Sequence, residues 1–370
     1  MDDAPSTRPC TPAQARTILR FLLERLHGNP AEAAELPPVM LWGPPGVGKS
    51  TVVRELCTEL GIGFIDVRLA QREPVDIRGL PVPGEDAVRW LPASEWPRDP
   101  DSRGIILFDE LTAADRTLQV AAYEFILDRR LGDLYRVPDG WLIAGAGNRA
   151  SDRAVALAMS SALANRFCHL ELEADLDTWL DWARDADIHP LVTAFLRFRP
   201  ELLFAMEGDV ERGWPSPRSW ARVSRLVVAA EAAGMGGDEQ HLLVQGLVGQ
   251  GAGIEFDAFR TWADKMGDVR AMLTGKGKIR VPERADQRYA FVSALVHYLH
   301  RAKEPAGLAG RFIAIGLELT GDFAAMAMVE AMRGGEELAV ALMRHPDFAA
   351  WTRKHGQAFA RRGAAAGIAA

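Results

Sequence analysis

The stretch Gly43-Pro44-Pro45-Gly46-Val47-Gly48-Lys49-Ser50 constrains this chain more than any other. It matches G-x-x-x-x-G-K-[S/T], in which each residue type has a physical job. The glycines let backbone N–H groups turn inward around a polyphosphate, where a side chain would collide. Lys49 is placed to bridge β- and γ-phosphates, and the Ser50 hydroxyl to ligate Mg²⁺. The context agrees. Val39-Met40-Leu41-Trp42 is a short apolar run that reads as a buried strand, and Thr51 to Leu60 carries Val52, Val53, Leu56 and Leu60 at helical spacing. The loop therefore feeds a helix N-terminus, whose dipole favours anions. The reading is a nucleotide site made of Gly43, Pro44, Pro45, Gly46, Val47, Gly48, Lys49, Ser50 and Thr51.

The second signal is Ile105-Ile106-Leu107-Phe108-Asp109-Glu110, four apolar residues ending in two carboxylates. In a parallel sheet, ligands bind at the carboxyl ends of the strands. Asp109 is suited to the Mg²⁺ shell, and Glu110 to polarising the water that attacks the γ-phosphate. Many strands end in acidic turns, so the pair gains its meaning from the phosphate loop about sixty residues before it. Trp141 to Ala146 reads as a further strand, followed by Gly147-Asn148-Arg149. Asn148 at that edge can hydrogen-bond the water or the γ-phosphate; an ordinary turn asparagine is the plain alternative. Cys168 to Leu172 reads as a fifth strand, preceded by Asn165-Arg166-Phe167.

The remainder is organised around these strands. Residues 1–10 read as a loose tail, and Thr11-Pro12-Ala13-Gln14 as a capping-box start to a helix that stops near Gly28. Ile62 to Val67 reads as a strand. The proline-rich segment Arg68 to Pro100 reads as an insert, with Val75 to Pro81 and Ala87 to Leu91 forming a hairpin around Pro83-Gly84-Glu85-Asp86 or a packed surface loop. Thr117 to Leu131 reads as an amphipathic helix. From about Asp175 onward the pattern is helical, with Trp214-Pro215-Ser216-Pro217-Arg218 leading into one helix. His297 and His300 stand three apart with no third ligand nearby, which favours a helix feature over a metal site.

The whole chain excludes several classes. At 370 residues, 48% hydrophobic and 25% charged, it has the composition of a soluble globular protein of two or three domains. A net charge of −7 gives no basic footprint for nucleic acid. Cys10, Cys57 and Cys168 match no metal or CxxC spacing and read as thiols in a reducing compartment. The acidic N-terminus lacks the pattern of a signal peptide, and no apolar run approaches membrane-spanning length, so a cytoplasmic protein without membrane contact is expected.

The order of phosphate loop, acidic strand end, strand-end Asn, Asn-Arg-Phe and Ser-Pro-Arg resembles an AAA+ ATPase, in particular the MoxR-type branch related to midasin and dynein, over about residues 36–260. The resemblance implies an α/β fold: a five-stranded parallel sheet between helices, with a small helical lid. It divides the chain into an N-terminal tail and helix (1–36), a nucleotide-binding core (37–174), a lid (175–262) and a helical C-terminal extension (263–370) that exceeds the minimal module. It also implies roles. Gly43 to Ser50 is similar to the Walker A loop, Leu107 to Glu110 to the Walker B strand, and Asn148 to sensor 1. Arg166 is similar to the arginine finger that reaches a neighbouring subunit's γ-phosphate, and Arg218 to sensor 2. Charge building on a transferring phosphoryl group calls for such guanidinium donors. A hexameric ring, ATP with Mg²⁺, a protein client and a partner bearing a von Willebrand factor A domain follow from the same resemblance. A nucleic-acid motor or clamp-loader-like ATPase, and a slowly hydrolysing nucleotide-gated adaptor, are the alternatives. The insert at 68–100 falls where the family carries a loop or hairpin facing the pore or a partner.

Overall fold

A computed structural model describes residues 8–152, 157–206, 212–263 and 268–365, and the chain divides into two compact units, Met1–Trp179 and Leu180–Ala370. The first is built on a parallel sheet. Its strands are β1 (Val39–Trp42), β2 (Gly63–Arg68), β5 (Gly104–Asp109), β8 (Trp141–Gly147) and β9 (Cys168–Glu171), in the order β2-β5-β8-β1-β9. The helices are α1 (Pro12–Gly28), α2 (Lys49–Leu60), the short α3 (Pro74–Arg78), α4 (Arg116–Asp128) and α5 (Ser161–Ala164). Between β2 and β5 the insert forms an antiparallel hairpin of β3 (Leu80–Pro83) and β4 (Val88–Leu91); β6 (Arg130–Leu131) and β7 (Tyr135–Arg136) form another after α4.

The central strands are apolar throughout because both faces are covered. Val39 and Leu41 of β1, with Ile105 and Leu107 of β5, pack against Leu19, Leu23, Val53 and Leu56 of α1 and α2. Met40, Ile106 and Phe108 point the other way, onto Phe125 and Trp96. This is the period-2 alternation of a strand with two buried faces. Thr11 caps α1 as the sequence predicts, its side chain accepting from the Gln14 N–H and the Gln14 side chain accepting from the Thr11 N–H.

Three readings change. The expected tail of residues 1–10 lies outside the described residues up to 7, but Cys10 bridges the sheet: its N–H donates to the Glu171 carbonyl at 2.7 Å. Val75 to Arg78 is helical rather than extended, because Pro74 starts a turn capped by Glu73 and Asp76, while the hairpin around Gly84 forms as expected. The helix read to Leu131 ends at Asp128. Arg129 adopts φ 54°, and its guanidinium turns inward to the carbonyls of Pro138 (3.1 Å) and Trp141 (2.7 Å), which reverses the chain into β6.

The second unit is helical: α6 (Leu176–Asp185, which begins in the first unit), α7 (Pro190–Phe198), α8 (Pro217–Ala232), α9 (Gly237–Val248), α10 (Gln250–Ala263), α11 (Val269–Leu273), α12 (Ala285–His300), α13 (Ala309–Glu318), α14 (Gly321–Met332), α15 (Glu336–Arg344) and α16 (Phe348–Ala365). Phe195, Trp220, Phe256 and Phe259 form one aromatic cluster, and Phe291, Leu295, Phe312, Met328 and Trp351 anchor another core. Among the described residues no helix is long and apolar enough to cross a membrane.

Candidate functional site

The loop between β1 and α2 takes the shape its glycines allow. Gly43, Gly46 and Gly48 have φ of +146°, +81° and +108°, in the region L side chains avoid, and a Cβ on Gly43 would meet the Leu172 carbonyl oxygen at 2.6 Å. Gly48 caps α2, so Lys49 and Ser50 stand on the helix's first turn. Thr51 follows, exposed on the same turn, and Val47 is buried among α1, α2 and the sheet.

Four of the predicted side chains converge at this carboxyl edge. The buried Lys49 ammonium donates to the carbonyls of Gly43 (2.5 Å) and Pro44 (3.1 Å) and to Asn148 Oδ1 (3.0 Å). Ser50 Oγ donates to Asp109 Oδ2. The chain order alone separates these pairs by 99 and 59 positions; β8, paired with β1, and β5, paired with β8, bring them together. The Ser50 hydroxyl and Asp109 carboxylate form the hard oxygen pair that Mg²⁺ takes, so these residues fit the ion.

Glu110 is held on a strained backbone. Its φ is 58°, a left-handed conformation that costs a non-glycine residue about 1–2 kcal/mol. The turn that holds it is well bonded: the Glu110 N–H donates to Asp109 Oδ1 at 2.8 Å, and its carbonyl accepts from Ala113 (2.9 Å) and Ala114 (3.2 Å). Strain maintained in this way is a mark of functional positions. Here it leaves the carboxylate half-buried, next after the Asp109 that meets Ser50.

Three supporting residues carry no sequence signal. The Thr112 hydroxyl donates to the Asn148 carbonyl and accepts from the Asn148 N–H, both at 3.1 Å, and so brackets that residue. Gly147 leaves room for it, since a Cβ there would lie 2.7 Å from Thr112 Oγ1 and 2.8 Å from Met40 Cε. Arg149 then pins the loop through ion pairs to the buried carboxylates of Asp152 (2.9 Å) and Glu171 (3.4 Å). The third is His169. Trp42 Nε1 donates to its Nδ1 at 2.7 Å, and its Nε2 donates to the Ala164 carbonyl at 2.7 Å. The Thr112 partner and the Trp42 partner of His169 stand 36 and 127 positions away, beyond the reach of any local pattern.

Of the two predicted arginines, Arg166 lies apart from this cluster within the first unit. Arg166 is exposed in the turn ahead of β9, beside a cavity of about 380 Å³ lined also by Pro37, Pro38, Asp128 and Leu142. These are residues of the amino edge of the sheet. Cys168 pairs with Val39, and the phosphate loop begins four residues further along β1 at Gly43, a distance of about 13 Å at roughly 3.3 Å per residue. Arg218 belongs to the second unit. It is exposed on the first turn of α8, which Ser216 caps through the N–H of Ser219 at 3.2 Å with Pro217 at the first helical position.

His297 and His300 lie in α12, where His300 Nε2 donates to the Ala331 carbonyl at 3.2 Å. Among the described residues no cluster of three or more His, Cys, Asp or Glu side chains is placed to hold a metal ion. All three cysteines are free, and burial pushes the Cys57 thiol up to about 11.

Residues 39–121 match the family model described as "ATPase family associated with various cellular activities (AAA)". That segment runs from β1 through the phosphate loop and the acidic strand end into α4, and with the strand order above it makes the first unit a P-loop AAA+ fold. No curated protein matches the sequence. Among solved structures, the Holliday junction branch migration motor RuvB of Thermotoga maritima aligns at 17% identity over 77% of this chain and 83% of its own, with a TM-score of 0.35. NtrX of Brucella abortus, in complex with ADP, aligns at 16% identity over 94% of this chain and 68% of its own, with a TM-score of 0.35. Likeness at this level carries no argument about activity.

Proposed function

We propose that this chain, with its AAA-family segment in a P-loop AAA+ fold, hydrolyses ATP at sites shared between the subunits of a ring and uses that turnover to remodel a protein client. The observation that carries the reading is the placement of the charged residues on the sheet. Lys49, Ser50, Asp109, Glu110 and Asn148 gather at the carboxyl edge, while Arg166 stands at the amino edge. An arginine so placed is turned away from its own phosphate loop and available to a neighbour's. Head-to-tail contacts of that kind generate rings when the rotation closes, and the resemblance points to a hexamer.

In this reading the loop backbone and Lys49 hold the β- and γ-phosphates, Ser50 and Asp109 hold Mg²⁺, and Glu110 takes a proton from the attacking water. When bound, Mg²⁺ neutralises charge on the phosphate oxygens. Asn148, bridged to Lys49 and bracketed by Thr112, fixes the water or the γ-phosphate. Arg166 from next door stabilises the equatorial oxygens as charge builds, and Arg218 contributes from the helical lid (175–262). The MoxR-type assignment and a partner with a von Willebrand factor A domain rest on the sequence resemblance. A protein client is favoured over nucleic acid by the insert hairpin, which exposes Leu80, Val88, Trp90 and Leu91 and carries Glu85 and Asp86 against Arg89, a net charge of −1. Such a surface offers phosphate backbones little attraction.

The test is the ATPase rate per subunit over a wide range of protein concentration. The rate is expected to climb with concentration in the wild type and to vanish in Arg166→Ala. Lys49→Ala should weaken nucleotide binding, whereas Glu110→Gln should bind and not turn over. Full hydrolysis in Glu110→Gln would remove that residue's role.

A further inference from the structure

We propose that His169 is a positioning residue for hydrolysis at the neighbouring site, tying the turn that presents Arg166 to the strand end that feeds the phosphate loop. The inference rests on the reading of Arg166 as a residue that acts across a subunit interface.

The geometry is continuous. Trp42 is the last residue of β1, and the next residue, Gly43, gives its carbonyl to Lys49. An indole N–H can only donate, so the Trp42 bond makes His169 Nδ1 the acceptor and places the ring proton on Nε2. That Nε2–H then donates to the carbonyl of Ala164, the last residue of α5. The same carbonyl accepts from the Phe167 N–H at 3.3 Å, and the Arg166 N–H donates to Leu163 at 3.1 Å. The Ala164 carbonyl thus closes the turn that holds Asn165 and Arg166, and His169 bonds to it from outside. The rings of Trp42 and His169 are stacked, 5.9 Å apart at 19°, so the imidazole is fixed in both position and tautomer. Phe167 is buried below, 6.2 Å from the imidazole, and anchors the other end of the turn.

This arrangement does something a packed core does not require. A phenylalanine at 169 would fill the space and keep the stack, but would leave the Ala164 carbonyl with one donor fewer and the Trp42 N–H with none. Arg166 would remain exposed, on a turn with more freedom. A finger works by fixed placement, so loosening the turn lowers the rate at the neighbour's site.

Mixed subunits isolate this effect. Arg166→Ala subunits keep an intact site but supply no finger, while Glu110→Gln subunits cannot hydrolyse but supply one. In a mixture, only the Arg166→Ala sites served by a Glu110→Gln neighbour turn over. Adding His169→Phe to the Glu110→Gln donor is expected to lower the restored kcat by about tenfold, within the usual range of coupling between sites. Nucleotide affinity at the Arg166→Ala sites should stay the same, and His169→Gln, whose amide keeps an acceptor and a donor, should recover most of the rate. Trp42→Phe in the donor removes the indole N–H together with part of the ring and should shift the rate in the same direction. Donors with His169→Phe and with Trp42→Phe that assemble, bind nucleotide and restore as much activity as the parent donor would overturn the proposal. If the parent Glu110→Gln donor itself restores nothing, the reading of Arg166 fails first, and the two failures are distinct.

Discussion

Replacing Thr112 with valine changes one oxygen and almost no volume, yet it is predicted to weaken both the fold and the site. Thr112 is 2% exposed, and its hydroxyl makes two bonds to the backbone of Asn148, each 3.1 Å long. Valine leaves the Asn148 N–H and carbonyl without that partner. Each hydrogen bond contributes about 1 kcal/mol net, so the loss is about 2 kcal/mol. For a unit of this size that corresponds to a fall in Tm of about 4–8 °C. The kinetic effect follows from what Asn148 holds. Its Oδ1 bonds Lys49 at 3.0 Å, and a less fixed Asn148 backbone lets that contact wander. Lys49 keeps the carbonyls of Gly43 and Pro44, so nucleotide affinity is expected to change little. The expected kinetic signature is a kcat lowered about tenfold, the equivalent of about 1.4 kcal/mol. Calorimetry and steady-state ATPase assays on Thr112→Val and Thr112→Ser separate the contributions, because serine keeps the hydroxyl. A Thr112→Val protein that melts like the wild type would refute the packing argument. One that is destabilised but hydrolyses at the full rate would refute the role given to Asn148.

Two further predictions follow from the same structure. Gly147→Ala places a Cβ against Thr112 Oγ1 and Met40 Cε, and overpacking of this kind costs about 1–3 kcal/mol, readable as a lower denaturation midpoint in urea. In the helical unit, burial holds His189 at about 4, aided by Arg260, and His297 at about 4, aided by Arg301, His189 and His300, with Asp187 pulling both upward. Protonation would also cost His189 Nδ1 its bond from the Leu191 N–H, at 3.2 Å, although Glu231 stands 3.9 Å from Nε2 to receive the charge. The folded values lie below the unfolded value of about 6.5, so the unfolded chain binds more protons between them. Stability is therefore fully present above pH 6.5 and falls as the pH drops toward 4, by up to about 3 kcal/mol per histidine and less where solvent reaches the ring. Unfolding of the helical unit followed against pH checks this, and His189→Gln should flatten the curve.

How much of this the sequence carries depends on how local each cause is. β1 and β5 are legible because both of their faces are buried, which writes an unbroken apolar run into Val39–Trp42 and Ile105–Phe108. The cap at Thr11 and the loop at Gly43 to Ser50 are legible because turn geometry is set by residues three to seven apart. The end of α4 is not, because Arg129 leaves the helix to reach carbonyls of Pro138 and Trp141, and nothing near Arg129 announces them. Val75 to Arg78 looks extended from its residues but is helical because Glu73 and Asp76 cap it. Asp109, Glu110 and Asn148 are readable as candidates from their strand ends. Thr112 and Arg149, which hold Asn148 and its loop, and His169, which joins Trp42 to Ala164, become visible only once the sheet has brought β5, β8, β9 and β1 side by side.

The central claim is that a site lacking nothing of its own still depends on a neighbour's Arg166. The most direct measurement mixes equal amounts of Arg166→Ala and Glu110→Gln, each inactive alone, and follows phosphate release. Random assembly pairs an intact site with an intact finger at about a quarter of the head-to-tail interfaces, so activity is predicted to return to about a quarter of the wild-type rate. Two variants that stay silent together while both bind nucleotide and assemble, or an Arg166→Ala protein that hydrolyses unaided, would contradict the account.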